Sequence, residues 1–145
     1  MTREAVEAAL DAGVEFARDL LGNALYVKEE LPNVDLPAEL KSRVEVLCEN
    51  LIGVKHDVFS ELTEAADRFE SAGHVQDARK RLERIAGGMA SDLRKIGPVV
   101  DALDGASIAN PDCRLAYVLV AESMANALGS FQRFRASVAA IPKLE

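Results

Sequence analysis

The chain has 145 residues, 49% of them hydrophobic and 28% charged, with a net charge of −7; that is the balance of one folded globular domain, 1–145, rather than of a disordered chain. Nothing approaches the ~20 consecutive apolar residues of a membrane span, and the opening "MTREAVEAAL" lacks the basic and apolar regions of a signal peptide, so with two cysteines and no disulfide framework the expected location is the cytoplasm. Residues 1–74 carry 7 Lys and Arg against 16 Asp and Glu, residues 75–145 carry 10 against 8, and the acidic half argues against general affinity for nucleic acid or anionic lipid.

The first segment, 2–31, places apolar or small residues at Val6, Leu10, Gly13, Ala17, Leu20, Ala24, Val27 and Leu31. The steps alternate four and three, the rhythm of one helical face. Pro32 and Pro37 then bracket "LPNVDLP" as a connection.

The second segment, 37–72, continues the rhythm from Leu40 through Val44, Leu47, Leu51, Val54 and Val58 to Leu62, Ala65, Phe69 and Ala72. The repeated step of four at Val58 to Leu62 is a stutter, which locally unwinds a supercoil. Pro37 suits the first turn, and Gly73 suits a left-handed helix end. Cys48 and His56 share a face two turns apart, with Glu45 and Glu49 near the stripe. Metal ligands on one helix usually stand three or four apart, so Cys48 is expected as a small core residue, His56 as a boundary residue, and no metal or other cofactor is expected.

"RFESAGH", Arg68 to His74, resembles the Arg-x(4–6)-His element of HEPN-type ribonucleases, which are helical bundles. The resemblance implies Arg68 and His74 acting together on an RNA phosphate, in a ribonuclease or a toxin–antitoxin component. The plainer alternative makes Arg68 a solvated helix residue and His74 a turn residue. "AGHVQDARKRLERI" is similar to one tetratricopeptide helix, but no second copy supplies the ~34-residue period that family needs to stack. Neither "HDVF" nor "HVQD" carries the Lys-Gly turn of histidine phosphotransfer bundles.

The third segment, 75–96, runs through Val75, Ala78, Leu82, Ile85, Met89, Leu93 and Ile96. Pro98 removes a helical hydrogen bond, so the helix is expected to stop or kink near Gly97, with a short extension over 98–104. The run "RKRLER" offers Lys80, Arg81 and Arg84 as a patch for phosphate or an acidic partner. Against that, a helix facing two acidic ones would spend such charges along its seams.

The fourth segment, 111–141, opens on an Asn110–Pro111 cap pair. It steps through Cys113, Tyr117, Val120, Met124, Ala127, Phe131, Phe134, Val138 and Ile141. Residues 115–121 contain no polar side chain apart from the Tyr117 hydroxyl. Two turns so apolar need cover on nearly every side. Val99, Val100, Leu103 and Ile108 could fold over them, or a second subunit could, using Leu115, Val118, Leu119 and Glu122.

These segments predict an all-α protein, an antiparallel up-down-up-down four-helix bundle with helices of about 30 residues, roughly 45 Å long. Gly53, Gly87, Gly88 and Gly129 fall inside helices at a cost of ~1 kcal/mol each relative to Ala; close helix approach or local flexibility would account for them. No nucleophile elbow, dinucleotide fingerprint or phosphate loop occurs. The expected function is a non-enzymatic cytoplasmic interaction or assembly module, self-associating as a homodimer. A further expectation is an acidic inhibitor, immunity protein or chaperone that binds a basic protein.

Overall fold

The computed structural model describes residues 2–143, apart from the side chains of Lys55 and His56; the expectation of His56 as a boundary residue therefore lies outside the described residues. Five helices follow in order: α1 (Thr2–Glu30), α2 (Ala38–Ala72), α3 (Val75–Leu93), α4 (Ile96–Ala109) and α5 (Arg114–Ala139). Single 3-10 turns, Leu31–Asn33 and Pro111–Cys113, follow α1 and precede α5. Four helices are long, and among the described residues there is no strand.

The register between helices is visible in their side-chain pairs. Arg3 of α1 stands over the Phe69 ring of α2, 5.2 Å from its centroid. Gly13 faces Leu62, and Lys28 reaches Glu49 at 3.5 Å. Numbers rise along α1 as they fall along α2, so these neighbours run oppositely. The same holds for α1 and α5, where Phe16 lies 5.1 Å from Phe131 between ring centroids and Asn23 donates to Asn126 Oδ1 at 2.8 Å. At the open end of α3, Gln76 donates to the Pro142 carbonyl at 2.9 Å.

The hydrophobic rhythm becomes the core. Val6, Ala17, Leu20, Ala24, Val27, Val44, Leu51, Leu62, Leu82, Met89, Val120, Met124 and Phe134 are buried. Both stutter residues, Val58 and Leu62, are buried too. Phe16 is fully buried although it stands off the expected stripe. Because α1 packs against both α2 and α5, its apolar face is wider than one stripe, and Phe16 fills the added width by stacking on Phe134 at 6.2 Å. Burying such a ring contributes about 1.5–3 kcal/mol.

The joints follow local chemistry. Gly73 adopts φ 68°, and its N–H closes α2 on the Phe69 carbonyl at 2.8 Å. Asn110 accepts from the Asp112 N–H at 3.1 Å, capping the turn that leads into α5. The expected short extension over 98–104 is instead a 14-residue helix reaching Ala109. In a continuous helix the Pro98 ring would collide with the carbonyl four residues earlier, that of Arg94. The chain turns there, with Arg94 and Lys95 bonding Ser91 and Asp92 at 3.3 Å. Pro98 then sits in the first turn of α4, where no helical partner is lost. The proline displaces the break upstream and opens a new helix.

The glycines divide in a way the sequence does not show. A Cβ on Gly53, Gly87 or Gly88 would meet nothing within 4 Å, and on Gly129 only Arg133 Nη1 at 3.8 Å. Close helix approach therefore does not explain these four. It does explain Gly13, where a Cβ would stand 2.8 Å from Leu62 Cδ2 and 3.0 Å from Phe134 Cε1.

Candidate functional site

The apolar run 115–121 forms the first two turns of α5. Its cover is partly α4, which packs on α5 and buries Val99 and Leu103. Val100 packs at the margin of the core. Ile108, the fourth residue expected to help cover the run, is 78% exposed in the last turn of α4. Across the joint, Leu115 is 67% exposed. Val118 and Leu119 are half-buried, Leu119 against the core, and Glu122 is exposed. Residues 115, 118, 119 and 122 share one helix face. The joint thus carries two large apolar side chains in water, the most exposed of the large hydrophobics among the described residues; Leu25, Tyr26 and Val46 do not exceed 53%.

The basic run of α3 splits between seams and solvent. Arg81 donates through Nε to Asp77 at 3.2 Å and reaches Glu64 of α2 at 3.8 Å. Lys80 and Arg84 are exposed, and Arg84 shares a shallow groove with Glu61, Glu64 and Arg81. Acidic side chains of α2 therefore stand within the patch, lowering its positive field at its centre.

Arg68 and His74 sit on either side of the α2–α3 joint. Arg68 is exposed and pairs with Glu64 at 3.4 Å, and its groove is lined by Phe59, Ser60, Thr63, Glu64 and Asp67. His74 is the exposed residue before the first turn of α3. Two carboxylates, Glu64 and Asp67, flank Arg68 where an RNA phosphate would have to sit.

Cys48 and Cys113 are free and buried. Burial pushes the Cys48 thiol up from 9.0 to about 11, with Lys28 pulling down and Glu45 and Glu49 adding upward. A thiol so held is protonated and a poor nucleophile or ligand at neutral pH. Among the described residues no group of three or more His, Cys, Asp and Glu could hold a metal ion, and no helix is long and apolar enough to cross a membrane.

One polar constellation has no counterpart in the expectations. Ser130, buried on α5, donates to Asp19 Oδ2 of α1 and accepts from Arg133 Nη2 at 2.9 Å. Asn23 adds its bonds to the Asp19 carbonyl at 2.7 Å and to Asn126. Nothing in the hydrophobic rhythm marks Ser130, which lies beside Phe131 at an inward position. The cluster pairs α1 with α5 through side chains of both helices.

Comparison with family models, with curated proteins and with solved structures returns no match.

Proposed function

We propose that this chain is a non-enzymatic interaction module that self-associates through the α4–α5 joint. The observation that carries the reading is the pair Ile108 and Leu115, exposed at 78% and 67% on either side of that joint. Val118 and Glu122 continue the face along α5, giving it an apolar centre and a charged margin, as interfaces have. Large apolar side chains left exposed together at one joint are a ground for contact with a partner, and a two-fold pairing lets one face cover its own copy. The free, buried cysteines suit a reducing compartment such as the cytoplasm.

Light scattering across a concentration series tests the reading. The wild type is expected to size as a dimer, and Leu115→Glu and Ile108→Glu as folded monomers. Leu119 is unsuited to the test because it packs against the core. A wild type that stays monomeric at every concentration ends the proposal.

A second reading rests on α1, where Glu4, Glu7, Asp11 and Glu15 stand exposed along one stripe. A basic protein partner fits that field. Its capture should fail when Glu7, Asp11 and Glu15 are changed to Lys, while the dimer persists.

A further inference from the structure

A groove of about 430 Å³ runs between α3 and the end of α5. That volume lies within the range of small-molecule sites. Arg79, Arg135 and Lys143 line it, against one carboxylate among the described residues, Glu83. The carboxylate is already engaged, with Glu83 Oε1 2.6 Å from Arg79 Nη2. Arg79 is only 14% exposed, and its Nε is buried with no hydrogen-bond partner among the described residues. A buried guanidinium N–H without an acceptor is costly, and an anion entering the groove would supply one. Arg135 is held against the Phe131 ring, 5.7 Å from its centroid, which limits its freedom before any ligand arrives.

The rest of the lining is apolar and low. Ala90 and Val138 border the groove, and Gly87 opens it. Glycine weakens a helix interior relative to alanine, and close packing does not account for Gly87, since a Cβ there meets nothing within 4 Å. A ligand lying against its backbone would use that space.

We propose that this groove binds a small amphipathic anion. The anionic head takes the guanidinium of Arg79, which turns to bring its unpaired Nε to the groove, together with Arg135 and Lys143, and a short apolar body lies over Gly87 between Ala90 and Val138. The site is about 30 Å along α5 from the face at Val118, taking 20 residues at ~1.5 Å each. It is independent of self-association.

The test uses the full chain and four probes: octanoate, octyl phosphate, octanol and acetate, titrated while amide resonances are followed. Octanoate or octyl phosphate should bind saturably and move Gly87 and Val138, and which of the two binds tighter distinguishes a carboxylate head from a phosphate. Octanol and acetate, each lacking one half of the ligand, should bind about tenfold more weakly or worse. Arg79→Gln and Lys143→Gln should each weaken the better probe. Gly87→Leu should abolish binding by filling the groove, while Gly88→Leu, one position round the helix, should not. Equal affinity for octanol, binding that survives both Gly87→Leu and Arg79→Gln, or no saturable binding of either anion at millimolar concentration overturns the proposal.

Discussion

Gly13 of α1 lies against Leu62 of α2 so closely that a Cβ on the glycine would stand 2.8 Å from the leucine's Cδ2. Phe134 of α5 closes the other side at 3.0 Å. Both neighbours are buried and have little room to withdraw. Gly13→Ala gains ~1 kcal/mol of helix propensity but meets overpacking of ~1–3 kcal/mol. The net expected in urea denaturation is a loss of about 1 kcal/mol. Gly88→Ala, in open space, should gain about 0.5–1 kcal/mol. A Gly13→Ala variant more stable than the wild type would show that α1 and α2 can separate without cost.

Ser130, itself buried, and Asp19 tie α5 to α1 at the centre of a partly exposed polar cluster. Ser130→Ala removes a donor to a carboxylate that is only partly exposed. The expected loss is about 1–2 kcal/mol, toward the lower end because water reaches Asp19. A double-mutant cycle with Asp19→Ala should return a coupling of about 0.5 kcal/mol or more. Additive single effects would mean that the serine contributes only its packing.

What was legible in the sequence is what depends on period and on chain ends. The steps from Val44 to Phe69, the stutter at Val58 and Leu62, and the turn at Gly73 are properties of one helix at a time. Each is visible without knowing a neighbour. Pro98 was misleading because a proline acts in two directions, against Arg94 behind it and in favour of a helix start ahead, and composition does not say which dominates. Gly13 and Gly87 look alike in sequence, yet one is crowded and the other faces open space. The Ser130–Asp19 bond and the Arg79–Arg135–Lys143 groove depend on how two helices are rotated about their axes, which no single hydrophobic stripe determines.

Cys48 supplies a pH test. Its folded thiol is pushed up to about 11 by burial, against the ordinary 9.0. Between those values an unfolded chain has lost the thiol proton and a folded one retains it. The unfolded state binds fewer protons there, so stability falls as pH rises. The contribution is fully present below pH 9.0 and is lost as pH climbs toward about 11. In a Cys113→Ser background, Cys48 should resist a disulfide reagent near neutral pH until urea unfolds the chain. Rapid labelling of the native protein would contradict that burial.

Leu103 and Ile108 separate the two roles of α4. Leu103 is fully buried and Ile108 is 78% exposed, five residues apart on the same helix. If α4 is a packed cover for α5, Leu103→Ala should cost about 2–5 kcal/mol through lost burial and a cavity. Ile108→Ala should change monomer stability by no more than about 0.5 kcal/mol. The pair must be measured below the concentration at which any dimer forms, because association would add to the apparent stability of the wild type by mass action. Two equally silent substitutions would mean that α4 rests on α5 without stabilising it. The apolar first turns of α5 would then need a partner along their whole length, beyond the joint at Ile108 and Leu115.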